Sequence, residues 1–218
     1  MPPVEITVRG SHTTSLPPEQ ATVHATVSAE GPEPQPVFDA VATAVADVRD
    51  SLEARLHVKQ GPVTKFVIEQ IHRGSHRPFQ PDGTQLPPVH TATVSITATF
   101  ADFEDLATWV GWSVGVPGLA VGYLDWALTD DRRLRVERKT RQKAVRDARR
   151  RAQDYADALD LGPVAVRTIS DPGMAGPVQR KVLMASAVSA PMGGAPEVSL
   201  RPDDVQIEAQ VEATFVVR

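Results

Sequence analysis

The chain has 218 residues, of which 41% are hydrophobic, 23% charged and 5% aromatic, with a net charge of −4; this is enough apolar material for one large domain or two small lobes. No cysteine is present, which excludes disulfides, thiol catalysis and cysteine-ligated zinc. No apolar stretch approaches the ~20 residues of a membrane helix, and Met1-Pro2-Pro3-Val4-Glu5 runs straight into strand pattern without a secretion signal, so the expected compartment is the cytoplasm.

Val4 to Gly10 and Gln20 to Glu30 alternate apolar and polar residues, the period of half-buried strands, and are joined by a turn around Leu16-Pro17-Pro18. Val37, Val41, Ala44, Val45, Val48, Leu52 and Leu56 then recur at three- and four-residue spacing, which predicts a helix from Pro36 to Leu56 that ends before Gly61-Pro62. Strands follow at Val63 to His72 and Val89 to Ala101, around a loop rich in proline and glycine from Gly74 to Pro88 that is not expected to extend a ladder. The second half is expected to hold a short helix from Asp102 to Trp112 and a strand from Leu119 to Leu128. A long helix from Asp130 to Asp160 and a strand from Val164 to Ser170 come next, then a loop from Asp171 to Pro196 and a closing strand up to Val217. In the long helix Val145, Ala148, Ala152, Tyr155 and Leu159 form the expected apolar stripe.

Ser95-Ile96-Thr97-Ala98-Thr99-Phe100 is echoed by Gln210-Val211-Glu212-Ala213-Thr214-Phe215. Each copy closes a series of strand, long helix, strand, loop and strand. The expected fold is therefore α+β, with two β-α-β-β lobes at 1–101 and 102–218 and long helices packed on antiparallel or mixed sheets.

The chain resembles the SIMPL-domain family, named for a signalling molecule that associates with a mouse pelle-like kinase and including bacterial periplasmic immunogenic proteins. The resemblance spans nearly the whole chain. It rests on Ile6-Thr7-Val8-Arg9-Gly10, the first long helix, the alanine-spaced helix from Lys143 to Ala156, the strand from Gly162 to Ser170 and the closing run from Ile207 to Val217. It implies an α+β protein, and one bacterial periplasmic member forms a large ring-like or channel-like oligomer. The family carries no catalytic residue set, so the resemblance assigns none.

Gly111-Trp112-Ser113-Val114-Gly115 fits the G-x-S-x-G pattern that exposes a nucleophilic serine at a strand-to-helix turn. Here a helix pattern precedes the motif and a strand follows it, so the expected role is to end the helix. His72, His76 and His90 are close in sequence but have no carboxylate in register, and are expected to be surface or loop histidines rather than metal ligands; His12, His24 and His57 stand alone.

The stretch from Arg132 to Arg151 holds eleven basic residues against Glu137 and Asp147, so it carries +9 while the rest of the chain, at −4 overall, carries −13. Such a face suits phosphates. It lacks interleaved aromatics, however, and the protein's pI is about 5.9, so a solvated face or a contact with an acidic neighbouring subunit is expected ahead of nucleic acid. Val182, Leu183, Met184, Val188 and Met192 put apolar groups in the 171–196 loop, as an inter-subunit arm would, while Gly173, Gly176, Gly193 and Gly194 suit a disordered segment equally. The expected surface is thus Arg135, Arg138, Lys139, Arg146, Arg149 and Arg150 with Val182, Leu183, Met184 and Met192. The functional expectation is a non-enzymatic assembly or protein-interaction module, a homo-oligomer with no cofactor, metal or catalytic residue and an unidentified protein partner. A polyanion-binding helix and a Ser113 hydrolase are its alternatives.

Overall fold

A computed structural model of the protein describes residues 3–57, 61–79, 85–171 and 202–217. In chain order these hold β1 (Val4–Leu16), β2 (Gln20–Gly31), α1 (Pro34–Glu53), β3 (Val63–Ile68), β4 (His72–His76), β5 (Val89–Phe100), α2 (Phe103–Ser113), β6 (Leu119–Ala127), α3 (Asp130–Ala158), β7 (Ala165–Ser170) and β8 (Val205–Val217). The class is α+β, with two sheets whose strand pairs are all antiparallel.

Two compact units divide these elements. One holds β1, α3, β7 and β8, the other β2 to β6 with α1 and α2. This differs from the expected halves at 1–101 and 102–218. The reason is strand pairing: β1 does not form a hairpin with the adjacent β2 but pairs along its whole length with β8, from Val4 opposite Val217 to Leu16 opposite Val205. Conversely β6, expected to open the second lobe, pairs with β2. The first unit is thus assembled from both ends of the chain.

The echo survives this change of partners. The sheets run β3-β5-β2-β6 and β1-β8-β7, so β5 and β8 are both central strands. Phe100 lies opposite Ala21, Ala98 opposite Val23 and Ile96 opposite Ala25; Phe215 lies opposite Ile6, Ala213 opposite Val8 and Val211 opposite Gly10. On the other face a threonine pair bonds across each ladder, Thr22 to Thr99 and Thr7 to Thr214, both at 3.0 Å. The outer neighbours match as well. Val63 faces Phe100 and Val166 faces Phe215, and each strand then bulges by one residue before Lys65 meets Thr99 and Thr168 meets Thr214. Bulges are specific local features, and finding one at the same step of both ladders makes β2-α1-β3-β5 and β1-α3-β7-β8 two copies of one β-α-β-β plan.

The two cores differ in side-chain size. Val37, Val41, Ala44, Val45, Val48 and Leu52 of α1 cover Val23, Ile96 and Phe100, and full burial of such groups contributes about 1.5–3 kcal/mol each. Pro34 and Pro36 fall in the first turn of α1, where a missing N–H costs no helical bond. Asp102 caps α2 by accepting from the N–H groups of Glu104 and Asp105. The segment from Gly74 to Pro88 contributes more to the sheet than expected, because His72–His76 pairs with the start of β5 as β4.

Candidate functional site

The basic helix α3 is held unusually close to its sheet, and glycine is the cause. A Cβ on Gly10 would lie 2.2 Å from the Ala144 carbonyl oxygen and 2.5 Å from the Ala148 nitrogen. Only small side chains fit beneath a helix at that distance, so the buried residues are Val136, Thr140, Ala144, Ala148, Ala152 and Ala156, spaced by four. This corrects the expected stripe. Ala148 and Ala152 belong to it, whereas Val145, Tyr155 and Leu159 are exposed. A four-residue row runs obliquely along a helix, and the three larger residues lie off it.

Polar contacts fix the helix in place. Thr14 and Thr140 bond through their hydroxyls at 2.9 Å, and the Val164 N–H donates to Gln153 Oε1 at 3.0 Å. Asp147 accepts the Ser11 N–H of β1 at 3.1 Å and also binds Arg150 at 2.5 Å and Arg151 at 2.8 Å. Burial works against its charged form, but the Ser11 N–H, Arg151 and Arg150 together outweigh that and hold its carboxyl below the ordinary 3.8.

With one face committed, α3 turns the rest of its arginines outward. Arg135, Arg138, Lys139, Arg146 and Arg149 are exposed and have no ion-pair partner among the described residues. Their three-, four- and seven-residue spacings place them along one stripe, about 21 Å from Arg135 to Arg149 at 1.5 Å per residue. Arg150, expected in the same set, is instead engaged by Asp147, and Arg133 is held by Asp130 and Glu137. Leu134, 55% exposed, joins Arg135, Arg138, Lys139 and Gln142 around a shallow groove of about 360 Å³. Val182, Leu183, Met184 and Met192, the other members of the expected surface, lie outside the described residues.

Ser113 is 3% exposed and its hydroxyl donates to the Val110 carbonyl at 2.6 Å, one turn back in α2. It ends the helix as expected and is not presented as a nucleophile. In β4 and β5, His72 and His76 share one face while His90, opposite Ser75, lies on the other. No group of three metal-ligating side chains occurs among the described residues, and none of the helices they form is long and apolar enough to cross a membrane.

One cluster escaped the sequence reading. His24, taken as isolated, bonds Asp125 through Nε2 at 2.9 Å and stacks on Tyr123 with ring centroids 4.2 Å apart. Residues a hundred positions apart gave no local signal of this, since it arises only when β6 pairs with β2.

The profile of the SIMPL family, described as a protein of unknown function (DUF541), matches residues 6–215 of this chain. No curated protein is significantly similar to it.

Proposed function

The chain belongs to the SIMPL family, and from that premise we propose that it is a self-associating protein-interaction module rather than an enzyme, with the outer face of α3 as its contact surface. The observation that carries this reading is the stripe of Arg135, Arg138, Lys139, Arg146 and Arg149, cationic groups without ion-pair partners among the described residues on a helix whose other face is fixed to a sheet. Uncompensated like charge on one helix costs stability, and an acidic partner surface would offset that cost. A second copy of the chain can supply one, because the sequence outside residues 132–151 carries −13. Nothing in α3 favours nucleic acid over protein: its exposed aromatic is the single Tyr155, whereas single-strand binders interleave several.

Light scattering across micromolar concentrations tests the reading. The expected mass is a multiple of 23.5 kDa, falling toward the monomer as salt rises and in an Arg135→Glu, Arg138→Glu, Lys139→Glu variant. A constant 23.5 kDa would refute self-association. RNA affinity that falls steeply with salt, in a protein that stays monomeric, would replace it with polyanion binding.

A further inference from the structure

The edge strands of the two sheets are blunted, with one exception. β3, β6 and β7 each pair through a register shift, which turns an edge away from a would-be neighbour, and β4 is only five residues long. β1 has neither device. It is thirteen residues long and runs beside β8 without a register shift from Val4 to Leu16, and no strand pairs with its other side among the described residues.

Two features bound the stretch of β1 that a neighbour could use. The Ser11 N–H points away from β8, because it donates to Asp147 Oδ2 at 3.1 Å. Backbone groups alternate sides along a strand, so Glu5, Thr7 and Arg9 direct their N–H and C=O groups the same way. The hydroxyl contact of Thr7 with Thr214 at 3.0 Å fits this, since facing residues that exchange no backbone bonds bring their side chains closest. At one end of the stretch Asp147 occupies the donor of Ser11; at the other Pro3 has no donor. Thr7 lies midway between them. If β1 pairs antiparallel with its own copy about Thr7, Pro3 comes opposite the copy's Ser11, and both lost donors fall on one pair. Val4 then faces Gly10, Glu5 faces Arg9 and Ile6 faces Val8. Glu5 is already bound to Arg167, and Arg9 to Glu212. This register therefore continues an alternation of charge across the join, from Arg167 and Glu5 to the copy's Arg9 and Glu212.

The helix above the edge points to the same arrangement. Asp147, Arg151, Tyr155 and Leu159 form a four-residue row beside the buried row of Ala144, Ala148, Ala152 and Ala156, on the side where Asp147 reaches the open edge of β1. Gly10 meets Ala144 and Ala148, and Thr14 meets Thr140, so helix and strand run in opposite directions. At about 1.5 Å per helical residue and about 3.3 Å per strand residue, Tyr155 comes level with Ile6 and Leu159 with Val4. Both are large, and they are 60% and 62% exposed.

We infer that β1 pairs with β1 of a second copy about a two-fold axis at Thr7, joining the two β1-β8-β7 sheets into one. The two α3 helices then lie side by side and antiparallel on that sheet, with Tyr155 and Leu159 enclosed between them. Main-chain hydrogen bonds give affinity, as in strand addition generally, and the two-fold closes the edge against other partners. This rests on the proposed self-association and names a second contact, separate from the α3 stripe.

The absence of native cysteine makes the test direct. Thr7→Cys sets two cysteines opposite each other with Cα atoms about 5.5 Å apart, inside the range of a disulfide. Thr13→Cys is the control: it is exposed on the same face of the same strand, but the pairing holds its two copies about 40 Å apart. Under mild oxidation Thr7→Cys is expected to give a disulfide-linked homodimer at several times the yield of Thr13→Cys. Thr7→Lys places like charges directly opposite and should lower the mass seen by light scattering, with the circular dichroism unchanged. No excess of linked dimer over the control, or an unchanged mass for Thr7→Lys, would overturn the inference. Light scattering of the parent protein separates the two readings. An oligomeric mass with neither effect removes the edge pairing alone, whereas a constant 23.5 kDa removes both.

Discussion

Replacing Gly10 with alanine should damage one unit selectively. The added Cβ would sit 2.2 Å from the Ala144 oxygen, 2.5 Å from the Ala148 nitrogen and 2.7 Å from the Ala148 Cβ, against 3.4–4 Å for ordinary contact. The two nearest atoms are backbone, so no rotamer change relieves the clash, and α3 must lift from β1 by more than ~1 Å, a gap that forfeits a quarter to a half of the dispersion attraction of the contacts it opens. Ala144, Ala148, Ala152 and Ala156, each fully buried, share that contact. Overpacking costs about 1–3 kcal/mol, and a clash with backbone belongs at the upper end, equivalent to a fall in midpoint of about 10 °C or more for a unit of this size. The two units can be followed separately, because Trp109, Trp112 and Trp126 all lie in the unit of β2 to β6 while the longest helix is in the other. Gly10→Ala should shift the far-ultraviolet circular dichroism transition well before the tryptophan fluorescence transition. Ala25→Gly, at the matching position of the other sheet, should move the fluorescence transition instead, by about 1 kcal/mol. A Gly10→Ala protein within about 0.5 kcal/mol of the parent, the range of an ordinary surface substitution, would refute the close-packing account of α3.

Asp147 predicts a pH dependence of the same unit. Its folded pKa lies below its unfolded value, so it contributes stability above the unfolded pKa of about 3.9 that is lost as pH falls through the folded value. Asp147→Asn should cost about 1.5–3 kcal/mol at pH 7 and flatten the acid limb of the urea-midpoint profile; an acid limb identical to the parent's would show that this carboxylate does not bind the helix to β1. Thr140→Val removes the bond to Thr14 from a fully buried site and should cost about 1 kcal/mol in urea titrations, while Thr22→Val, on the half-buried face of the other unit, should cost less. Ser113→Ala should leave any ester turnover by the purified protein unchanged, since the hydroxyl is already bonded within α2; loss of turnover would restore a nucleophilic role.

Local patterning made most of the elements legible. Alternation in Val4 to Gly10, Gln20 to Glu30 and the closing strand marked half-buried strands, and Val37 to Leu52 marked the buried face of α1 at nearly its observed length. The echo of residues 95–100 and 210–215 disclosed the repeated plan because the same alternation faces the same kind of helix in each copy. The density of arginine in residues 132–151 marked the candidate surface, since nothing buried could hold so much charge. Tertiary structure decided which strands met and how closely. Backbone hydrogen bonds carry no sequence label, so β1 could not be seen to leave β2 for β8, nor β6 to join β2, and the His24 and Asp125 contact was hidden with them. Gly10 looked like any strand-end glycine. Only its distance from α3 shows why alanines, rather than the larger Val145, Tyr155 and Leu159, face the sheet, and hence which arginines are left pointing outward.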